Sequence, residues 1–382
     1  MRTVHLNNAG AGLMPSEVVD TMIDYLHREA RDGSYECEHV FSEVVEDEVY
    51  RLIGQLLGAE HTDVALFGSA TTAWLAAAQT VPLVAGDEVW VTPYEYAGNL
   101  IVLSRMRHRF DVTIRTVPLH ANGDLNLEWF AANLSERCAL VSVPHVPSGC
   151  GIVNPVEQIG QLLGGHRALY FVDGCQAVGQ IDVDVGRIGC DLYTGAGRKF
   201  LRGPRGTGFS YTHARLRDSA ALSFHDLHVA SVGAAPHATV TVDTDSARIW
   251  ETAERSTVAT VGLAEALRHH FAAGAAPYDR ALSQRLRTRL TDIVGPSRLV
   301  DPGEVLSNMV TVDTHPVPAG EVVSRLRQDG FNTWVMNGPD TPTYMAMRRI
   351  VSAVRVSPHY FVTPSQIDDF AVAFERCLTT LR

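Results

Sequence analysis

The feature that most limits the fold is an alternation of short apolar segments with segments of helical character. The apolar segments read as buried strands at 63–68, 88–93, 138–146, 168–174, 190–197 and 206–212. Segments 71–84 and 156–165, which lie between them, read as helices. Buried strands alternating with helices are typical of a mostly parallel sheet covered on both faces. The sequence therefore predicts an α/β fold whose ligands bind at the carboxyl ends of the strands.

The pattern changes after about residue 255. Helix-like segments 260–274, 278–295, 319–330 and 365–381 are now interrupted by strand-like segments 308–314 and 353–358. This mixture predicts a smaller α+β domain at the C-terminal end. We expect a large domain at 15–255, and a small domain formed by 1–14 together with 256–382.

Charge and cysteine content narrow the class of protein. The 382 residues carry a net charge of −11, which disfavours binding to nucleic acid or to an anionic membrane. No apolar run is long enough to span a bilayer, and the opening MRTVHLNNAG is too polar for a signal peptide. The cysteines are scattered without a CxxC pair: Cys37, Cys138, Cys150, Cys175, Cys190 and Cys377. We therefore expect a cytoplasmic protein with no disulfide framework and no metal site.

The chain contains one lysine, Lys199, within the glycine-rich segment GAGRKFLRGPRGTG at 195–208. Of the 32 basic residues, all the others are arginine. Arginine can provide surface charge and anion contacts, but only a primary amine can lose its proton and form a Schiff base with a carbonyl. A lysine retained by chance would be expected on a solvated helix face, whereas this one follows an apolar strand. The position therefore favours a chemical role.

Polar residues follow several predicted strands. Asp173 ends the segment ALYFVDG, and Gln176 follows three positions later. A carboxylate at a strand end can cap a helix, accept backbone N–H groups in a turn or bind a cation, and by itself the position of Asp173 favours capping. Residues 68–72, GSATT, join a strand to a helix and are typical either of an ordinary N-cap or of a phosphate site. Tyr96, after another strand, is suited to stacking on a flat ring or simply to packing.

Two further segments carry polar residues that are candidates for the ligand site at the strand ends. His145 and Ser148, in VPHVPSGCG, follow a third strand and are expected to face the cofactor or substrate, although a buried histidine bonded to the backbone is equally compatible. Asn7 and Asn8, in HLNNAGAG, are by themselves explained by a simple turn.

Taken together, these residues match the requirements of pyridoxal 5'-phosphate. The amine of Lys199 is suited to the aldehyde, and the carboxylate of Asp173 to the protonated ring nitrogen that makes the ring an electron sink. The strand-to-helix junction at 68–72 is suited to the phosphate.

The segment from Val172 to Tyr211, VDGCQAVGQIDVDVGRIGCDLYTGAGRKFLRGPRGTGFSY, resembles the core of the class V aminotransferases. This family has the pyridoxal phosphate fold-type I and includes the cysteine desulfurases. The resemblance covers essentially the whole chain. It implies a seven-stranded-type, mostly parallel sheet between helices, a smaller α+β domain and a homodimer with its active site at the subunit interface.

The resemblance also implies individual roles. Lys199, Asp173 and Tyr96 match the catalytic residues, with Lys199 covalently bound to the cofactor and Tyr96 stacked on its ring. Gln176 matches the residue beside the ring hydroxyl. The remaining implied cofactor contacts are Ala70, Thr71, Arg198 and, from the partner subunit, Thr257. The implied substrate contacts are Arg355, which matches the carboxylate-binding arginine, together with His145, Ser148 and Asn8. Asn7 and Asn8 occupy positions that line the substrate channel in relatives.

The chain departs from the desulfurases at informative positions. Ala196 and Arg198 replace the usual serine and histidine before the lysine, and Arg198 is expected to contact the phosphate instead. A desulfurase also needs a nucleophilic cysteine on a loop of the small domain, and residues 331–349 contain none. Cys377 lies in the last predicted helix, where a packed or surface thiol is expected. A persulfide mechanism is therefore disfavoured.

EYAGN together with RK and GPRG resembles the branch of C–S lyases of ergothioneine biosynthesis and lincosamide enzymes that act on cysteine S-conjugates. This resemblance implies β-elimination from an S-substituted L-cysteine in a secondary-metabolite pathway. Decarboxylation-coupled oxidative deamination to an aldehyde and transamination remain open, as does a non-catalytic regulator or scaffold. Loops such as 219–245 and 331–345 are expected to form the pocket for the sulfur substituent.

Overall fold

The computed structural model describes residues 3–218, 226, 227, 229–233, 239–242, 245–274 and 280–381. Its helices are α1 Ser16–Asp32, α2 Ser34–Val40, α3 Val49–Leu57, α4 Ala70–Ala78, α5 Ala97–Phe110, α6 Leu127–Asn133, α7 Val156–Leu162, α8 Val185–Ile188, α9 Ala214–Arg217, α10 Thr257–Ala272, α11 Arg280–Val294, α12 Ala319–Gln328, α13 Pro342–Met347 and α14 Pro364–Leu381. Its strands are β1 Val4–His5, β2 Val64–Phe67, β3 Glu88–Val91, β4 Thr113–Thr116, β5 Cys138–Pro144, β6 Leu169–Asp173, β7 Leu192–Ala196, β8 Gly208–Thr212, β9 Ala230–Val232, β10 Val240–Val242, β11 Val310–Val312, β12 Phe331–Asn332, β13 Trp334–Asn337 and β14 Ser352–Val356.

A seven-stranded sheet forms the centre of the molecule, in the order β2-β8-β7-β6-β5-β3-β4. Only β8 runs antiparallel to its neighbours, so the predicted mostly parallel sheet is confirmed. Six of these strands were predicted; β4 was missed because its sequence, TIRT, is polar and lies at the sheet edge. The predicted α/β fold is therefore correct.

Both faces of the sheet are buried, and this explains the continuous apolar strands. Tyr170 and Val172 of β6 belong to one core cluster, whereas Leu169 and Phe171 belong to another on the opposite face. Successive side chains of a strand point to opposite faces, so a strand with a covered layer on each side needs apolar residues throughout.

A three-stranded antiparallel sheet, β11-β14-β13, forms the base of the C-terminal domain. The N-terminal segment joins this domain, because β1 pairs with β12 in parallel and Leu6 lies in the same core. Helix α10 was expected in the small domain, which was predicted to begin at residue 256. Instead, Leu263 and Leu267 of this helix are buried in the core of the large domain. No helix in the described ranges combines the length and apolar character needed to cross a membrane.

Candidate active site

The carboxyl ends of β2, β3, β5, β6 and β7 meet at one edge of the central sheet, beside a cavity of about 450 Å³. The segments that follow these strands line it, together with residues of the small domain. Nine of the residues predicted from the sequence lie in its wall: Ala70, Thr71, Tyr96, Ser148, Asp173, Gln176, Arg198, Lys199 and Arg355. The fold therefore brings together residues that are up to about 285 positions apart in the chain.

Lys199 lies in the turn after β7, and only 8% of its surface is exposed. Burial lowers the pKa of its ammonium group, because the charged form loses hydration. The guanidinium groups of Arg198 and Arg355 lower it further, whereas Asp173 opposes the shift. A larger fraction of this amine is therefore neutral, and nucleophilic, than of an exposed lysine.

Asp173 is the last residue of β6, and its two carboxylate oxygens have separate donors. The backbone N–H of Cys175 donates to Oδ1 at 3.0 Å, and Asn99 Nδ2 donates to Oδ2 at 3.4 Å. These contacts fix the plane of the carboxylate while the side chain still lines the cavity.

Gln176 is buried and lies one turn beyond Asp173. Its Nε2 donates to the carbonyl of Ala9 at 3.1 Å, whereas its Oε1 is buried without a partner among the described residues. An unpaired buried oxygen is unfavourable by about 1–3 kcal/mol. The position therefore suits a group that enters the cavity and pairs with this amide.

The start of α4 provides an anion site. Ser69 is the N-cap, and it forms a reciprocal capping box with Thr72. Within the described residues, no hydrogen bond occupies the N–H groups of Ala70 and Thr71, which lie at the cavity wall. Gly208 allows β8 to approach this turn, since a Cβ there would lie 2.2 Å from the Ser69 carbonyl carbon. Backbone donors and the helix dipole together favour a phosphate.

Arginine side chains supplement this anion site. Arg198 lines the cavity and donates from Nη1 to the carbonyl of Gly10, and the exposed Arg205 of the GPRG segment lies at the mouth. Arg198 was expected to contact the phosphate, whereas Arg205 was not among the expected contacts. The contact with Gly10 shows that Arg198 also holds the N-terminal segment against the cavity.

Tyr96 is the residue immediately before α5 and is half-buried at the cavity wall. Gly98 makes room for its ring, because a Cβ at position 98 would lie 2.6 Å from Tyr96 Cε1. Burial raises the pKa of the Tyr96 hydroxyl, so the ring is neutral at physiological pH. A neutral aromatic ring in this place is suited to stacking.

Arg355 lies in the middle of β14 and is 5% exposed. Its Nη1 donates to the carbonyl of Ser148 at 2.9 Å, and its Nε is buried without a partner among the described residues. Burial lowers its pKa to about 10, so it remains charged at neutral pH. An arginine fixed in this way is suited to a carboxylate. The contact also shows that Ser148 lies beside Arg355, with its carbonyl as the partner.

The structure does not bring Asn8 or Thr257 to the cavity. Asn8 is fully buried, and its Nδ2 donates to the carbonyl of Ser357 at 2.8 Å, whereas the preceding Asn7 lines the cavity. Thr257 is the half-buried first residue of α10 and lies outside the cavity wall of its own chain. Its predicted contact with the phosphate of a partner subunit therefore remains a prediction.

His145 is also absent from the cavity wall. Its Nδ1 lies 3.0 Å from the hydroxyl of Tyr193, and burial lowers its pKa to about 4. The geometry therefore favours the alternative of a buried histidine with a structural partner. His359 is similar: its Nε2 lies 2.8 Å from the Phe200 carbonyl, and burial lowers its pKa to about 4.

The lowered pKa values of these two histidines predict that the folded protein loses stability in acid. Below about pH 6.5 the unfolded chain binds protons at His145 and His359 that the folded chain does not bind until about pH 4. Stability should therefore fall between these pH values, by up to about 3 kcal/mol per histidine. Unfolding of the cofactor-free protein by urea, measured from pH 7 to 4, should show a shallower loss in His145→Gln. The same slope in wild type and His145→Gln would contradict this, and the exposed His120 offers a matched control, His120→Gln.

Several residues of the site were given no individual role in the prediction from the sequence. They are Glu95, Asn99, Arg205, Trp334 and Asp340, of which Glu95 lies behind the cavity wall and the others line it. Asn99 lies one turn after Tyr96 in the quoted EYAGN segment, so its spacing was a usable signal. Trp334 and Asp340 belong to the expected pocket loop 331–345, whereas most of the other loop, 219–245, lies outside the described residues.

Cys175 is the cysteine that lines the cavity, and the other five are buried away from it. Burial raises the pKa of the Cys175 thiol far above its usual value, and the neighbouring Asp173 adds to the effect. This thiol is therefore protonated at neutral pH. Cys377 is packed inside the small domain, in agreement with one of the two expectations for it.

Comparison with known proteins is in keeping with this geometry. Residues 4–370 match the family described as Aminotransferase class-V, and the chain belongs to that family. A probable cysteine desulfurase of Halobacterium salinarum is 31% identical over 224 residues, which are 56% of this chain and 52% of the relative. One from Halalkalibacterium halodurans is 28% identical over 215 residues, 54% of this chain and 52% of the relative. The matched region thus spans about half the length of these curated relatives.

Solved structures show the same fold over the full chain. A cysteine desulfurase from Thermococcus onnurineus NA1 superposes with a TM-score of 0.88 at 19% identity, covering 99% of this chain and 95% of that one. A cystine C–S lyase, solved with its product cysteine persulfide, has a TM-score of 0.84 at 20% identity, covering 98% and 97%. The predicted fold-type I architecture is confirmed.

The family is one of pyridoxal 5'-phosphate enzymes, which confirms the predicted cofactor. The residues present fit that group: an amine, a carboxylate, an aromatic ring and a free helix start lie around one cavity, within the size range of small-molecule sites. Lys199 would hold its aldehyde carbon, Asp173 its ring nitrogen, Tyr96 its ring face, and Ala70 and Thr71 its phosphate.

Proposed function

We propose that the chain is a C–S lyase that removes the sulfur substituent from an S-substituted L-cysteine and releases a thiol, pyruvate and ammonia. The observation that carries this is the composition of the cavity wall that the small domain contributes. The small-domain residues there include Trp334, Met336 and Asp340, and the segment 331–349 contains no cysteine to accept sulfur. A reaction in which sulfur leaves together with its substituent needs no such acceptor.

The remaining thiol in the cavity supports the same conclusion. Cys175 follows β6, beside Asp173 and at the cofactor end of the cavity, rather than on a loop of the small domain. Because burial raises its pKa well above neutrality, it is a poor nucleophile. Transfer of sulfur to this residue is therefore disfavoured.

The roles of the residues follow from their contacts. Arg355 binds the substrate carboxylate with its fork-shaped guanidinium group, and this orients Cα toward Lys199. Lys199, whose pKa is lowered, then takes the proton from Cα as a general base. Pyridoxal phosphate, when bound, supplies an electron sink that makes this proton removable. Asp173 holds a proton at the ring nitrogen and so keeps that sink effective.

The bonds that break are Cα–H and Cβ–S. The sulfur leaves with the electron pair and takes a proton, which gives the thiol. Addition of one water then converts the remaining three-carbon unit into pyruvate and ammonia. Overall, one S-substituted cysteine and one water yield one thiol, one pyruvate and one ammonia, without an oxidant.

The curated and solved relatives support a cysteine-derived substrate. The names of the matched proteins include cysteine desulfurases and a cystine C–S lyase. The proposal extends to the finer resemblance with the ergothioneine and lincosamide branch, and so to a secondary-metabolite or antibiotic pathway in the cytoplasm. It also includes a homodimer in which Thr257 contacts the phosphate bound by the partner subunit.

Product analysis tests the proposal. We expect the protein loaded with pyridoxal phosphate to convert S-benzyl-L-cysteine to benzyl thiol and pyruvate in equal amounts, without oxygen uptake. S-benzyl-L-homocysteine, whose sulfur is one carbon further from Cα, is the matched control and should release no thiol.

Other products would contradict the lyase and identify an alternative. Carbon dioxide, an aldehyde that retains sulfur and oxygen consumption would indicate oxidative decarboxylation. A keto acid that retains sulfur would indicate transamination, and alanine formed from free L-cysteine would indicate a desulfurase. Binding of the cofactor without turnover of any of these amino acids would indicate a regulator or scaffold.

A further inference from the structure

A buried carboxylate that the proposed reaction does not use lies behind the cavity. Glu95 is located between β3 and α5, has no exposed surface and does not line the cavity. Burial of a carboxylate is unfavourable unless hydrogen bonds compensate for the lost hydration. The contacts of Glu95 therefore indicate what it is for.

Three donors surround the Glu95 carboxylate. Oε1 accepts from the backbone N–H of Tyr96 at 3.0 Å and from Asn99 Nδ2 at 2.9 Å. Oε2 accepts from the hydroxyl of Ser142, in β5, at 2.9 Å. Burial raises the pKa of Glu95 to about 7. The three hydrogen bonds oppose this rise, and the one from Asn99 lowers the pKa most.

Asn99 connects this carboxylate to the one in the cavity. The same Nδ2 that donates to Glu95 lies 3.4 Å from Oδ2 of Asp173. An amide nitrogen carries two hydrogens, so it can donate to both carboxylates at once. In the opposite amide orientation Oδ1 of Asn99 would face acceptor oxygens on both sides. Glu95 therefore determines which end of the Asn99 amide faces Asp173.

We infer that Glu95 is a positioning residue that orients Asp173 through Asn99. The amide of Asn99 holds Oδ2, and the backbone N–H of Cys175 holds Oδ1. With both oxygens fixed, Asp173 presents its carboxylate to the place where the ring nitrogen of the cofactor would lie. The inference concerns the cofactor alone, so it stands whichever amino acid is the substrate.

Binding of pyridoxine 5'-phosphate to the cofactor-free protein tests the inference. This analogue has the ring nitrogen and the phosphate but no aldehyde, so its affinity reports on the non-covalent contacts without Lys199 chemistry. Glu95→Leu has a similar volume and removes the acceptors, and we expect it to weaken binding at least tenfold. Glu95→Gln retains an oxygen that accepts from Asn99 and should bind within threefold of wild type. The ultraviolet spectrum of the bound analogue should show less protonated ring nitrogen in Glu95→Leu only.

Ser142→Ala is the matched control, because it removes a donor to Glu95 without changing Asn99, and it should bind the analogue within threefold of wild type. Asn99→Ala should reproduce the loss, and adding Glu95→Leu to it should cost nothing more, since both changes break one connection. Wild-type affinity in Glu95→Leu, or losses that add in the double variant, would overturn the inference. If Glu95→Leu does not fold, Glu95→Ala, which also removes both acceptors, takes its place alone and together with Asn99→Ala.

Discussion

Replacement of Lys199 by alanine is expected to abolish covalent attachment of pyridoxal phosphate and to reduce turnover by at least about 10³-fold. Lys199 is the only lysine of the chain, so no neighbouring lysine can substitute for it. The visible absorption band of the wild-type protein should be absent from Lys199→Ala. Retention of the band in this variant would show that another amine binds the cofactor.

Lys199→Arg is the informative companion variant. It keeps the positive charge between Asp173 and the arginines of the cavity, but guanidinium neither loses its proton nor attacks a carbonyl. We expect it to be as inactive as Lys199→Ala while retaining more of the folding stability of the wild type. The single lysine also simplifies a direct assay, since borohydride reduction should label one peptide, containing residue 199.

Replacement of Arg355 by alanine is expected to lower kcat/KM for an S-substituted cysteine by at least about 100-fold. Truncating one partner of a buried charge pair typically costs about 2–5 kcal/mol, and Arg355 is 5% exposed at the cavity. Most of the effect should appear in KM. Arg355→Lys should recover only part of the loss, because an ammonium group cannot form the two parallel hydrogen bonds of a guanidinium.

Two controls make this result specific. Arg348 lies outside the cavity wall, where it donates to the Tyr344 hydroxyl, so Arg348→Ala should leave KM unchanged. The S-conjugate of cysteamine, which has no carboxylate, should bind wild type and Arg355→Ala equally weakly. If Arg355→Ala prefers the cysteine conjugate to the cysteamine conjugate by the same factor in affinity as wild type does, Arg355 does not bind the carboxylate.

The sequence was sufficient to place a residue at the cavity where that residue lies at or just after the end of a buried strand. Lys199, Asp173 and Tyr96 each lie within a few residues of a strand whose apolar run is unmistakable, and parallel strands bring their carboxyl ends to one edge. Arg355 was identified by its motif alone, because its strand belongs to the other domain. Its approach to Ser148 depends on how the domains pack, which no local pattern encodes.

The errors have equally local causes. Of the two asparagines expected near the substrate, Asn7 lines the cavity, whereas Asn8 begins a turn and its amide donates to the Ser357 carbonyl, so the assignment to Asn8 was wrong by one position. His145 follows a strand as Lys199 and Tyr96 do, but it lies inside the protein beside the hydroxyl of Tyr193. Glu95 was overlooked because a glutamate in a loop sequence does not reveal that it is buried.

The pairing of β1 with β12 has a consequence for biosynthesis. Val4 pairs with Phe331, and the adjoining Ala9 forms part of the cavity wall, where its carbonyl accepts from Gln176. On the ribosome, about 325 residues must be made after β1 before its partner strand is complete, which takes roughly 15–65 s at about 5–20 residues per second. The central sheet can assemble during that interval, but the cavity cannot close. Capture of the cofactor is therefore expected to follow synthesis of β12, well after the central sheet has formed.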